Sequence, residues 1–117
     1  MAYFSTALRG PDGLHEVLRD RDGLRLFAEK AAGGDQVAAG EITASGAATD
    51  FSRKVLVGWT RTTGCGRATS ASLVMTGDRM ELRVGREEGP AECFAPYRVT
   101  VVFEVAKERV PARPVFA

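Results

Sequence analysis

The chain has a single histidine, His15, and two cysteines, Cys65 and Cys93, beside its fifteen carboxylates. A catalytic triad needs a nucleophile, a base and an orienting acid brought together by the fold. No serine or cysteine partner for His15 is suggested by spacing, so His15 reads as an exposed or half-buried surface residue. Glu87-Glu88 is the one adjacent carboxylate pair, but neighbours on an extended chain point opposite ways and make a poor acid/base couple. It reads as a solvated turn. Gly33-Gly34 and Gly64-Cys65-Gly66 fit neither a P-loop nor a dinucleotide fingerprint. Neither cysteine lies in a CxxC unit, and with a single histidine a four-ligand zinc site would need carboxylates to complete it. No cofactor and no metal is expected.

The cysteines leave three chemistries open. Each sits beside turn formers, in Gly64-Cys65-Gly66 and Pro90-Ala91-Glu92-Cys93. A disulfide would tie one loop to a later strand, add about 3–4 kcal/mol by restricting the unfolded chain, and place the protein outside the cytosol. Two unpaired, partly buried thiols would suit a reducing compartment. Cys65 as a nucleophile activated by a base would require a free thiol of low pKa.

The segment from Gly58 to Gly66 (Gly-Trp-Thr-Arg-Thr-Thr-Gly-Cys-Gly) follows an apolar run and precedes another. Rigid scaffolds present contact residues on such loops, and Trp and Arg are enriched at binding hot spots. Trp59, Arg61, Thr62, Thr63 and Gly64 are the expected partner-contact residues, with Cys65–Cys93 as their staple. The competing structural reading makes Trp59 a core residue at a strand end and Thr-Thr-Gly an ordinary turn.

These groups must be positioned by one small domain. The chain has 117 residues, 44% of them hydrophobic and 26% charged, as in a folded globular protein. No apolar run approaches the ~20 residues of a membrane-spanning helix. The formal net charge of +1 gives none of the basic field of a nucleic-acid binder, and the arginines are interleaved with acids. The first nine residues lack a charged n-region followed by a long apolar stretch, so no secretory signal is visible. That start suits either a cytosolic protein or a mature portion carrying an added Met.

Residues 2–9 read as a short strand or extended lead-in. Pro11-Asp12-Gly13 reads as a helix start, followed by Leu14, Val17 and Leu18 at i, i+3, i+4. Leu24, Phe27 and Ala28 continue the pattern after a break at Asp22-Gly23. The spacing predicts two short helical pieces, or one kinked helix, ending near Ala32-Gly33-Gly34. Residues 33–49 read as a connector with a short strand near Glu41-Ile42-Thr43. From Asp50 the period changes to two. Val55, Leu56, Val57 and Trp59 form the near-continuous apolar run of a strand covered on both faces. Residues 67–76 and 80–84 form a hairpin turned by Gly77-Asp78, and Tyr97 to Val105 is the longest alternating stripe. Pro111 and Pro114 then leave an edge segment or tail. The fold class is mainly β (α+β): a small β-sandwich or barrel with an N-terminal helical segment. Residues 1–49 are lead-in and connector, 50–110 the β-rich body and 111–117 the tail.

The order Asp50-Phe51-Ser52-Arg53-Lys54-Val55-Leu56-Val57, then Thr62-Thr63-Gly64, a hairpin, and Ala95-Pro96-Tyr97-Arg98-Val99 resembles the PrcB-type domain. Members of that family typically show a DFSK segment before a valine strand, a TGGY loop and a late PY before the last strand. The resemblance covers residues 50–110. It implies a non-enzymatic, secreted or cell-envelope module that binds an extracellular protease and stabilises or regulates it. The family's aromatic after the glycine is replaced by Cys65, whose implied partner is Cys93. Thr62-Thr63-Gly64 is also similar, more distantly, to the contact loop of chagasin-type protease inhibitors, without that loop's Asn, Pro and aromatic. That likeness implies protease inhibition through the loop. A purely structural envelope module is the remaining alternative.

Overall fold

The computed structural model describes residues 1–117 and is a mostly β, α+β domain of two sheets and two helices. The first sheet joins β1 (Tyr3–Ser5), β2 (His15–Leu18), β3 (Lys54–Gly64) and β6 (Tyr97–Ala106) in the order β1-β6-β3-β2, all antiparallel. The second joins β4 (Ala68–Thr76), β5 (Arg79–Arg86) and β7 (Val115–Phe116) in the order β4-β5-β7. Helices α1 (Arg21–Ala32) and α2 (Gln36–Ser45) complete the domain.

Side-chain alternation explains the layering. On β3 and β6 one set of residues (Val55, Val57, Trp59, Val99, Val101, Phe103, Val105) meets Ala68, Met80 and Leu82 of the second sheet in one core cluster. The opposite set, Leu56 and Val102, meets Leu18 of β2 and Leu24, Phe27, Ala28, Ala31 and Ile42 of the helices in another. The two central strands therefore bury both faces, which is why consecutive apolar residues occur at Val55–Val57 and Val101–Phe103. The hairpin of β4 and β5 forms as its alternation predicts, turning at Gly77-Asp78 with Gly77 at φ 58°. The two C-terminal prolines do not prevent pairing altogether: β7 runs parallel to β5 as an edge segment.

Three expectations for the first half are corrected. Leu14, Val17 and Leu18 do not start a helix, because residues 15–18 are strand β2, paired with Leu56–Trp59 of β3. Val17 and Leu18 point to opposite faces, one toward each core cluster. The helix begins at Arg21, where the Asp20 carboxylate accepts from the Gly23 N–H and caps it (2.7 Å). Residues 36–45 are neither connector nor strand but helix α2, capped by Asp35 accepting from the Val37 and Ala38 N–H groups. It buries only Ala38 and Ile42, one turn apart, so its apolar pattern is sparse.

At the far end of β3, Lys54 Nζ donates to Glu104 Oε1 on β6 (2.7 Å) and the Thr49 hydroxyl to Glu104 Oε2 (3.3 Å). The Lys54 hydrogen bond and charge outweigh desolvation and hold the Glu104 carboxyl below its ordinary range. Asp50 is held low in the same way by the Ser52 hydroxyl and N–H. A depressed carboxyl pKa stabilises the fold above the unfolded value and loses that contribution as pH falls through the native value. The urea midpoint is therefore expected to fall on acidification below about pH 4.5, the ordinary glutamate value. Glu104→Gln should flatten part of that fall. The effect is small, since exposed pairs contribute about 0.2–1 kcal/mol. Urea titrations of both proteins between neutral pH and pH 3 check it.

Candidate functional site

The five expected contact residues do not lie on a protruding loop. Trp59 to Gly64 continue β3 and pair with residues 97–101 of β6. Trp59 is 3% exposed within the inter-sheet core and Thr63 is buried, its hydroxyl donating to the Gly66 carbonyl (2.9 Å). The alternation that buries Val55 and Val57 carries on through Trp59, so it faces inward and is closed to a partner. Arg61 is half-buried and donates to the Leu82 carbonyl (2.7 Å) and the Ala117 carbonyl (3.2 Å), holding the two sheets together. The Thr62 N–H donates to Asp12 Oδ1 (2.7 Å). Only Thr62 and Gly64, with part of Arg61, reach the surface, at the end of a strand rather than on a wedge.

The lone histidine belongs to the same region. His15 stands opposite Trp59 in the β2–β3 register and stacks on Phe116 of β7, with ring centroids 4.4 Å apart. Phe116 in turn meets Trp59 edge-on at 5.2 Å, and the Arg61 guanidinium lies 5.5 Å from the Trp59 ring centre. This cluster fastens the C-terminal segment across the gap between the sheets. Aromatic pairs of this geometry add about 0.5–1.5 kcal/mol beyond their burial.

Cys65 and Cys93 are bonded, with Cα atoms 5.7 Å apart and no free cysteine elsewhere. A bonded Cys65 has no thiolate to act as a nucleophile in this form. The bond joins the turn after β3 to the segment between β5 and β6, residues 87–96, which has no regular secondary structure. Two glycines let these backbones touch. A Cβ on Gly66 would lie 2.0 Å from the Glu87 carbonyl oxygen, and one on Gly89 would lie 2.3 Å from that of Cys65. The Glu87 N–H donates to the Arg67 carbonyl (2.9 Å), and Arg67 pairs with the Glu87 carboxylate (3.1 Å).

What this fixed segment presents is aromatic. Phe94, next to the bonded Cys93, is fully exposed at 110% of its reference area, and Tyr97 at the entrance to β6 is 42% exposed. Between them Ala95 and Pro96 line one wall of a cleft of about 590 Å³, whose other wall is residues 6–9 after β1. Arg98, at its floor, donates to the Gly10 carbonyl. A phenylalanine in full contact with water is the type of side chain that binding buries.

In the sequence the first cysteine's flank stands out, because it carries Trp59 and Arg61. The second cysteine's flank, Phe94-Ala95-Pro96-Tyr97, carries the exposed rings. The signal available for it was an aromatic outside any alternating pattern, beside a cysteine and a proline. No group of three His, Cys, Asp or Glu converges as metal ligands, and every buried side-chain polar atom has a hydrogen-bond partner. No helix is long and apolar enough to cross a membrane. Compared with known proteins, the chain matches no family model, no curated protein and no solved structure.

Proposed function

We propose that this protein is a non-enzymatic binding module that works in an oxidising, secreted or cell-envelope setting. There it holds an extracellular protease and stabilises or regulates it. The observation that carries the binding role is the fully exposed Phe94 on a segment fixed by Cys65–Cys93. Tethering that segment in advance reduces the ordering lost on association, so more of the ring's burial appears as affinity. The disulfide is compatible with an oxidising compartment. The protease as partner follows from the PrcB-type order of motifs over residues 50–110. The contact surface moves from the family-like Thr62-Thr63-Gly64 to Phe94, Pro96 and Tyr97, because the former is strand.

The test is capture by the immobilised, oxidised protein from secreted and envelope fractions of its source, followed by affinity measurement on the recovered protease. Phe94→Ala is expected to weaken binding by about 2 kcal/mol, or ~30-fold in Kd. It should leave the urea midpoint unchanged, since an exposed ring shifts stability by no more than about 0.5 kcal/mol. Arg61→Ala should do the reverse, lowering stability and sparing affinity. A protease that binds wild type and Phe94→Ala equally would sink the assignment. Protease activity with and without the module then separates stabilisation from inhibition.

A further inference from the structure

Four strands lie at sheet edges, and three of them are blunted. β1 has three residues, β2 four and β7 two, the last preceded by Pro111 and Pro114. Short strands and prolines are the usual protection against edge-to-edge pairing. β4 has none of it. It runs nine residues, Ala68-Thr-Ser-Ala-Ser-Leu-Val-Met-Thr76, with no charge and no proline. Its one irregularity lies between Ala68 and Ser70, so Ser70–Thr76 is a regular stretch of ladder. β4 pairs with β5 on one side only, and no other hydrogen bond of the backbone reaches residues 68–76. Alternate N–H and C=O groups along its outer side thus face water.

The geometry points to a second copy of this chain as the occupant: β4 pairs antiparallel with β4 of the copy about a two-fold axis at Leu73. Leu73 is the centre of the regular stretch, so seven residues pair on each side. Leu73 then faces its counterpart, Ala71 faces Met75, Ser72 faces Val74 and Ser70 faces Thr76. Ala71, Leu73 and Met75 are the side chains of β4 that already pack on the inter-sheet core. The copy's row continues that apolar inner face. It also covers the groove of about 350 Å³ that Leu73 and Met75 share with Phe103 and Val105 of β6. The outer face brings together hydroxyls and one valine.

Charge favours this occupant. Like charges directly opposite each other destabilise a strand pair, and none meet anywhere in the stretch. The seam is bounded by the irregularity between Ala68 and Ser70 at one end and by the turn at Gly77-Asp78 at the other. Seven residues at about 3.4 Å each make a seam ~24 Å long, a single strand-to-strand contact of the weak, transient kind. It uses a surface separate from Phe94, so it stands or falls independently of the binding role proposed above.

Sedimentation equilibrium of the oxidised protein, from about 5 µM to 1 mM, reads the association directly. The expected result is a reversible monomer–dimer equilibrium. Ser72→Lys combined with Val74→Lys puts like charges opposite each other across the axis and should weaken the dimer at least tenfold. Ser72→Glu combined with Val74→Lys puts opposite charges there and should retain it. Both positions lie on the outward face, and unchanged circular dichroism and melting temperature show that each variant is folded. A chain that stays monomeric to 1 mM overturns the proposal. So do two variants that associate alike, because a contact elsewhere would not distinguish their registers.

Discussion

Removing the Cys65–Cys93 bond is expected to lower the unfolding free energy by about 3.5 kcal/mol while leaving both sheets formed. The bond closes a loop across a sequence separation of 28. Restricting a loop of that length in the unfolded chain contributes about 3–4 kcal/mol on the chain-entropy account. A domain of this size has on the order of 5–15 kcal/mol to draw on, so the reduced form remains folded near room temperature. With a urea slope of ~2 kcal/mol/M, the midpoint should drop by nearly 2 M. The measurement compares wild type with Cys65→Ser/Cys93→Ser at equal pH. The spectroscopic signature of the β-sheets should be the same in both before the transition. A drop below about 1 kcal/mol would contradict it. It would mean that the unfolded chain already keeps residues 65–67 near residues 87–93 without the bond, so that closing the loop adds little. The same variant should bind the proposed partner more weakly although no contact residue is changed, because Phe94 would then be ordered during association.

The parts of this fold that were legible in the sequence are those where one physical pattern dominates. β3 and β6 are covered on both faces, so apolar residues run together at Val55–Val57 and Val101–Phe103, and their strand character follows from composition and alternation together. The β4–β5 hairpin was legible because Gly77-Asp78 interrupts two alternating runs. Residues 14–18 were not, since Leu14, Val17 and Leu18 satisfy a helical spacing as well as a strand that buries both of its faces. Only the pairing with β3, a long-range event, decides between them. Helix α2 was hidden for the opposite reason. Its Ala and Gly content and two buried side chains give little periodicity, and the capping Asp35 was the one local cue. The candidate site was half legible. The cysteine pair marked the right neighbourhood, but Trp59 and Thr63 are drawn inward by the alternation of β3. The exposed rings stand instead on the other side of the bond.

Phe27 and Gly58 form the contact on which the attachment of the helices depends, and breaking it should have the largest effect of any single substitution. Phe27 of α1 is fully buried, and a Cβ placed on Gly58 in the middle of β3 would lie 2.7–2.8 Å from three atoms of its ring. The ring therefore lies on bare backbone, between Leu56 and Thr60 on the helix-facing side of the strand. Phe27→Ala removes a large buried ring from the cluster of Leu18, Leu24 and Ile42 and is expected to cost about 3–5 kcal/mol. Gly58→Ala keeps the ring and forces it away, at about 1–3 kcal/mol. The pair is coupled. Phe27→Leu frees the space beside Gly58, so Gly58→Ala should cost less in that background than in wild type. A double-mutant cycle by urea unfolding reads this as an interaction energy of about 1 kcal/mol or more. Strict additivity would mean that α1 shifts freely over the sheet and that Gly58 is not selected by the ring above it. A coupled result ties the glycine in the middle of β3 to the helix layer, which anchors the sheet that carries the Cys65 turn at one end.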